Sequence, residues 1–384
     1  MENLLKIVTS IVLNNFTNDS RVLKENMSLQ NAGYDVKVVA LHEEPLKEFD
    51  EVQNIPVHRV KLKSRGWSKN KLVQLLKYFE FIYRVVKKYK NSDILHCNDL
   101  NTLPIGFIIK KFYNKNAKII YDAHEYETEI NGLSGIRKTL VKRLEKFLIK
   151  YADKIITVSD AIAEEYMRLY GIEKPVLVLN TPPYKKIEKK DIFRKTFKID
   201  QDKTIFLYQG GLSKGRGIEI LLETFKAIDD EKSVIIFMGS GPLENAVIEE
   251  SEEYVNIYLH KVVSFDLLLD YTSSADFGIS TIEDSCLSYR YCLPNKMFEY
   301  LMAEIPVVVS NLYEMKRLVE DSGIGLVAKE NTPTGLKEAI QKITQLDKEV
   351  LQKNIQKVKE VYNWEEQETL LLDVYKKLYK NQYE

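Results

Sequence analysis

Short β-branched runs alternate with helical patterns from one end of the chain to the other. In the first half the strand-like runs are KIVTSIVL (6–13), YDVKVVAL (34–41), DILHCN (93–98), AKIIYDA (117–123), KIITVS (154–159) and PVLVLN (175–180), with helical patterns between them over 19–32 and 70–90. In the second half they are TIFLYQG (204–210), SVIIFMG (233–239), VNIYLH (255–260), ADFGIST (275–281) and IPVVVS (305–310). Most of these runs are close to continuously apolar, which marks strands covered on both faces and therefore parallel sheets between layers of helices. Two such sets predict an α/β protein of two doubly wound, Rossmann-like domains, and 384 residues suit that number. The boundary falls in VLNTPPYKKIEKKDIFRK (178–195), where a strand gives way to Pro-Pro and a lysine-rich run. We accordingly read residues 1–183 as the first domain, 184–362 as the second and 363–384 as a last helix. From its pattern, that helix is either a plain terminal element or one that packs back on the first domain.

Composition narrows the function classes. Hydrophobic residues at 45% and charged residues at 29% are ordinary for a soluble protein, and a net charge of zero argues against a nucleic-acid partner. The balance is uneven, however: residues 1–170 carry 28 Lys+Arg against 21 Asp+Glu, and the rest carry 28 against 35, or +7 against −7. The first half thus invites an anionic partner. Its surplus is concentrated in SKNKLVQLLKYFEFIYRVVKKYK (68–90) and GIRKTLVKRLEKFLIK (135–150), which are either solvated helix faces or surfaces for anionic lipid. Three cysteines, Cys97, Cys286 and Cys292, form neither an even set nor a metal spacing, so a cytoplasmic home is expected. The first residues read as a strand and not as a signal peptide, and no run approaches the ~20 apolar residues of a spanning helix, so membrane contact would be peripheral, at the inner face of the cell membrane.

Ligands of open parallel sheets lie at the carboxyl ends of the strands, which directs attention to the loops that follow them. After TIFLYQG comes GLSKGRGIEILLETF (211–225), a glycine-rich turn that opens a helix. Gly210, Gly211, Gly215 and Gly217 permit close backbone approach, Lys214 and Arg216 add charge, and the helix N-terminus offers free N–H groups. The combination suits a diphosphate; its alternative is a tight turn with two solvated cations. The loop is neither a Walker loop nor a dinucleotide fingerprint. FMGSGPLENAV (237–247) repeats the arrangement with Gly239 and Gly241, as a nucleotide contact or as ordinary turn chemistry.

In CLPNKMFEYLMAEIPVVVS (292–310), Pro294 and Asn295 suit a helix start, with Asn a favoured cap. Lys296 in the first turn opposes the helix dipole unless an anion lies beside it. Glu299, one turn on, either accepts two hydrogen bonds from a vicinal diol such as a ribose or pairs with Lys296 at i, i+3. In the first domain, IIYDAHEYETE (119–129) sets Asp122, His124 and Glu125 just past a strand, and LHCNDLNTLPIG (95–106) adds Asn98 and Asp99. NDSRVLKE (18–25) offers Asp19 as a helix cap or a ligand contact and Arg21 as a cation at a helix start. The Asp-x-Asp at Asp200 and Asp202 precedes a strand, on the wrong edge for a ligand, and is read as a turn; no metal or other cofactor is expected.

Together, NDSRVLKE, YDAHE, ADKIITVSDAIAEEY, VLVLNTPP, YQGGLSKGRGIE, MGSGPLE, LPNKMFEYLMAEIPVVVS and YNWEEQ resemble, in order and over nearly the whole chain, the retaining glycosyltransferases of the GT-B fold. Within these, the resemblance is to the family 4 branch rich in bacterial capsule, O-antigen and exopolysaccharide transferases. It implies two Rossmann-like domains facing across a cleft, a nucleoside diphosphate sugar such as a UDP-sugar as donor, and a saccharide or lipid-linked saccharide as acceptor. It further implies that Arg216 and Lys296 hold the donor diphosphate with Gly211, Gly215, Gly239, Gly241 and Asn295 around the nucleotide, and that Glu299 holds the ribose. His124 would lie near the donor sugar, Asp19 and Arg21 on the phosphate or acceptor side with Asp99, Asp122 and Glu125, and the last helix would cross back to the first domain. Two positions depart from the pattern: the residue eight before Glu299, often glutamate, is Tyr291, with Glu283 further upstream as the possible substitute, and an arginine common after the first loop glycine is Gly211. Two rivals stay open: a nucleotide-sugar 2-epimerase, which shares the fold and donor, and a non-catalytic nucleotide-sugar-binding protein, for which the departures at Tyr291 and Gly211 speak.

Overall fold

A computed structural model describes residues 5–379. Residues 1–4 and 380–384, the edges of the predicted first strand segment and of the last helix, lie outside the described residues. One sheet contains β1 (Ile7–Ile11), β2 (Asp35–Leu41), β3 (Phe49–Val52), β4 (Ile55–Val60), β5 (Ile94–Asn98), β6 (Lys118–Ala123), β7 (Lys154–Thr157) and β8 (Val176–Leu177), in the order 3-4-2-1-5-6-7-8. All neighbours are parallel except β3 and β4. The other sheet contains β9 (Thr204–Gln209), β10 (Ser233–Met238), β11 (Ile257–His260), β12 (Phe277–Ser280), β13 (Val307–Val309) and β14 (Gly325–Val327), all parallel, in the order 11-10-9-12-13-14. The predicted apolar runs are the buried centres of these sheets: every residue of β5, β10 and β12 is buried.

Two features escape the apolar pattern. β3 and β4 form a hairpin of mixed apolar and charged residues whose two loop residues, Gln53 and Asn54, both have positive φ (48° and 67°), the backbone of a tight primed turn that Asn tolerates. β14 is three residues long and starts at Gly325, where any Cβ would overlap the Val307 carbonyl across the pair.

The chain divides into two compact units, 1–178 with 368–384, and 179–367. The Pro-Pro segment belongs to the second because Leu179 lies in its core, the Leu179 N–H donates to Gln367 Oε1 (2.8 Å) and the Trp364 N–H donates to the Pro182 carbonyl (2.9 Å). The helix Trp364–Lys377 begins there, and from Glu368 onward the chain belongs to the first unit. In that unit it buries Leu371, Val374 and Tyr375; the Tyr375 hydroxyl bonds His96 Nδ1 (2.7 Å) and its ring meets Tyr34 edge-on. Among the described residues no helix is long and apolar enough to cross a membrane.

Strand order reverses between β1 and β5 in one sheet and between β9 and β12 in the other, so each sheet opens a crevice at the carboxyl ends of those strands. In the second unit the helix Asn295–Met302 is locked to that point from below. Gly278 on β12 leaves room for the Tyr300 ring, and the buried Tyr300 hydroxyl donates to the Leu207 carbonyl (2.9 Å) and accepts the Gln209 N–H (3.1 Å). Met297, Phe298 and Leu301 complete the attachment in the core beside Val307 and Val309. Replacing Gly278 by Ala forces a methyl into that ring and is expected to cost about 2 kcal/mol of the second unit's stability. Urea denaturation checks this against Gly66→Ala, where nothing lies within 4 Å and little change is expected.

Candidate functional site

Lys296 enters from the first turn of Asn295–Met302, and its side chain lies against Gly210 with Nζ 3.5 Å from the centre of the Tyr208 ring. It is only 8% exposed, and Nζ has no hydrogen-bond partner. Burial, reinforced by the neighbouring Arg216 charge and only partly offset by Glu299, pushes its pKa down to about 7. Arg216 leaves the glycine loop with its guanidinium over the Tyr289 ring, 5.0 Å from the centre. The helices that start here, Ile218–Lys226 and Asn295–Met302, have no side-chain cap, so their first N–H groups point to the same region without a side-chain acceptor. Two cations, one of them an ammonium without a hydrogen-bond partner, and two helix N-termini make a site for a dianion.

Glu299 lies one turn deeper and is half-buried; Gln209, the last residue of β9, donates Nε2 to its Oε2 while Gln209 Oε1 accepts from Thr272 Oγ1 (2.8 Å). The carboxylate is thereby aimed by a side chain that the sequence reading did not single out. Glu283 follows β12, and its N–H donates to the Gly215 carbonyl (3.0 Å), which fixes it beside the glycine loop. Tyr291 is engaged edge-on with Tyr313, at 6.0 Å between ring centres.

The loop glycines divide by cause. A Cβ at Gly217, Gly239 or Gly241 would overlap Thr281, Gly210 or Leu212 respectively, so these three let strand-end loops close on one another. Gly215 has φ +82° in the turn itself. Gly211, by contrast, is exposed with nothing within 4 Å of a Cβ, so the position has space for a side chain.

In the first unit the predicted residues gather at the ends of β5 and β6. Arg21 is buried, with Nη2 2.9 Å from Asp122 Oδ1, Nη1 donating to the Val178 carbonyl (2.7 Å) and Nε 3.1 Å from Glu25. Arg21 is therefore committed to internal carboxylates, which corrects its reading as a cation waiting for an anion. Asp19 caps the helix Ser20–Asn31 by accepting the Val22 N–H (3.2 Å), and it also accepts from Asn14 Nδ2 (2.8 Å). Asn295 is corrected too: it is the first residue inside its helix and exposed, with Pro294 at the cap position. Glu125 is exposed on the loop after β6.

His124 has a carboxylate at each ring nitrogen. Asp122 Oδ2 lies 3.2 Å from Nε2 and Asp99 Oδ1 lies 3.5 Å from Nδ1, while the same Asp99 oxygen accepts the His124 N–H (3.3 Å). Burial alone would lower the imidazole pKa, but Asp99 and Asp122 override it and hold the pKa at about 9. Burial and the Asp99 charge hold the nearby Glu127 carboxyl well above the usual range. Glu25 and His96, which the sequence reading missed, complete the cluster. Burial raises Glu25 to about 7 against the pull of Arg21. Ligand atoms of Glu25, His96 and Asp122 lie within 4.8 Å of one another, and the Arg21 guanidinium already supplies positive charge to both carboxylates.

Two pH responses follow. An anion that pairs with Lys296 raises its pKa, so binding of such an anion at pH 8 should take up a fraction of a proton, seen as a calorimetric heat that depends on the buffer and disappears in Lys296→Gln. For His124 the folded pKa exceeds the ordinary 6.5, so its contribution to stability is full below 6.5 and lost as pH rises through about 9. Asp99→Asn should lower the imidazole pKa by about one unit or more, read from its NMR titration.

Two family models match the chain: Glycosyltransferase Family 4 over residues 27–182 and Glycosyl transferases group 1 over residues 203–345. The probable glycosyltransferase WbjE of Pseudomonas aeruginosa is 22% identical over 322 residues, covering 75% of this chain and 74% of the relative. The chitobiosyldiphosphodolichol beta-mannosyltransferase of Candida albicans is 22% identical over 374 residues, covering 90% and 81%. Among solved structures, sucrose-phosphate synthase from Thermosynechococcus elongatus superposes with a TM-score of 0.79 at 17% identity, over 98% of this chain and 100% of that one. Anabaena HepE, solved in complex with UDP and glucose, gives 0.73 at 14%, over 98% and 100%. The chain belongs to the glycosyltransferases, a family 4 segment followed by a group 1 segment in the GT-B fold.

Proposed function

We propose that this chain transfers a glycosyl group, with retention of configuration, from a nucleoside diphosphate sugar to a hydroxyl of a saccharide or lipid-linked saccharide, in the synthesis of a surface polysaccharide such as a capsule, O-antigen or exopolysaccharide. The observation that carries the donor assignment is the buried Lys296 ammonium without a hydrogen-bond partner, beside Arg216 and two uncapped helix N-termini. A leaving diphosphate gains negative charge as the glycosidic bond breaks, and fixed positive groups aimed at it lower that barrier. The chain's own cations take this role in the proposal, with no metal ion required. Glu299, aimed by Gln209, is assigned to the ribose hydroxyls.

Asp99 and Asp122 hold the His124 imidazole pKa at about 9, so in this proposal it serves as a fixed positive charge and not as the base. The proton of the attacking hydroxyl then goes to an oxygen of the departing diphosphate, on the same face of the sugar as the bond that breaks. That route forms the new bond with retention and needs no carboxylate pair for a covalent intermediate.

A thermal-shift screen against UDP-, GDP-, ADP- and CMP-sugars identifies the donor base, since binding raises apparent stability. With the donor found, Arg216→Ala assayed in EDTA is expected to lower kcat roughly 100-fold or more. Transfer near wild type would remove Arg216 from the site, and loss of wild-type activity in EDTA would refute metal independence. NMR of the products separates transfer from 2-epimerisation, which needs no acceptor, and from binding alone.

A further inference from the structure

The two basic segments of the first unit fold as the helices Lys71–Tyr89 and Gly135–Leu148, and the helix Leu103–Phe112 packs against both. Lys71–Tyr89 buries Phe81, Ile82, Val85 and Val86, and Gly135–Leu148 buries Glu145 and Leu148; each also presents an apolar stripe to solvent. On Lys71–Tyr89 the outward stripe is Leu72, Leu75, Leu76, Phe79 and Tyr83, at the spacing of one helix face, with Leu72 68% exposed and Tyr83 65%. On Gly135–Leu148 it is Ile136, Leu140, Leu144 and Phe147, with Ile136 81% exposed. Between them, Phe112 at the end of the middle helix is 69% exposed. Single exposed leucines need no explanation, but two aligned stripes on neighbouring helices do.

The charges around these stripes have one sign. Lys71, Lys87 and Lys88 on the first helix and Arg137, Arg143 and Lys146 on the other are exposed. The acids of the same helices are withdrawn: Glu80 is held by Ser64 and Arg84, and Glu145 is buried beneath the hydroxyls of Tyr121, Tyr166 and Tyr170. An apolar face ringed by cations with no exposed acid is the amphipathic signature of a helix that lies in a lipid interface. A second copy of this chain is a poor occupant, because the symmetric contact would set lysine against lysine.

We infer that the face formed by Lys71–Tyr89, the end of Leu103–Phe112 and Gly135–Leu148 docks on an anionic lipid surface, its apolar stripes entering the headgroup layer and its basic residues pairing with lipid phosphates. The docking does not rest on the donor chemistry and stands even if no nucleotide sugar binds.

Flotation of the full chain with vesicles of phosphatidylcholine alone, or mixed with phosphatidylglycerol, tests this. The chain should float with the mixed vesicles and hardly at all with the neutral ones, and release as salt rises from about 0.1 M to about 1 M and the screening length shrinks from about 10 Å to about 3 Å. Neutralising Arg143→Gln with Lys146→Gln should reduce partition roughly thirtyfold, and Phe79→Ser with Leu144→Ser should reduce it further in both salts. These side chains are exposed and outside the donor machinery, so circular dichroism and the thermal shift with a nucleotide sugar should match wild type. Absence of flotation on mixed vesicles, or equal flotation of the variants, overturns the inference. So does concentration-dependent dimerisation by light scattering that Phe79→Ser abolishes, which would give the face to a second copy.

Discussion

A buried ammonium without a hydrogen bond is an expensive group, and the arrangement of the second unit turns on Lys296. Removing a charge from water costs several kcal/mol unless it is paired, and a methionine of similar shape would fill the same space against Tyr208 at no such cost. The Tyr208 face returns part of that energy through its π electrons, and a pKa near 7 lets the group shed its proton when nothing binds. What remains unmet is an anion. The surrounding packing holds the group at that position: Tyr300 seated over Gly278 fixes the helix, Gly217, Gly239 and Gly241 draw the loops together, and Gln209 braces Glu299 from the neighbouring strand.

The first unit solves the same problem in the opposite way. Arg21 also lies in the first turn of a helix, and by sequence the two cations look alike. Its guanidinium, however, is consumed by Asp122, Glu25 and a carbonyl, so it welds the first helix to the end of β6. The charge left to act outward is on His124, kept as an imidazolium by two carboxylates yet partly exposed. One unit therefore holds a cation that needs a ligand and the other a cation already satisfied by the protein. Only a count of partners distinguishes them.

This contrast shows what a sequence discloses. The parallel sheets were legible because strands buried on both faces are continuously apolar, and β5 and β10 lie where their runs predict. The β3–β4 hairpin was not, since its strands FDEV and IPVHRV are short and broken by charged residues and proline, and its turn is the pair Gln53-Asn54 with no glycine to mark it. Lys296 could be chosen because a cation in the first turn of a helix opposes the dipole, and Arg216 because it sits in a glycine-rich loop that opens a helix. Gln209 and His96 could not, because each acts through a partner remote in sequence: Glu299 lies 90 residues from Gln209 and Tyr375 lies 279 from His96. Glu25 pairs with Arg21 at i, i+4, which by sequence looks like an ordinary surface ion pair of a helix. The glycines were readable as special positions, but not for their cause, since a backbone neighbour and a ligand both demand a missing side chain.

Net charge misleads in the same manner. The part of the chain from residue 171 onward is the acidic one, at −7, yet it builds the cationic pocket, while the +7 of the first 170 residues is spread largely over exposed helices. Exposed charges are screened within about 10 Å and sum into a diffuse attraction for an extended anionic surface. Charges enclosed by Tyr208, Tyr289 and converging helix ends act at short range in a medium that screens them poorly, so two of them outweigh a surplus of acids elsewhere on the unit. The two forms of positive charge in this chain therefore suit different anions: a diphosphate needs a few buried donors in fixed positions, and a lipid surface needs many mobile ones beside apolar side chains.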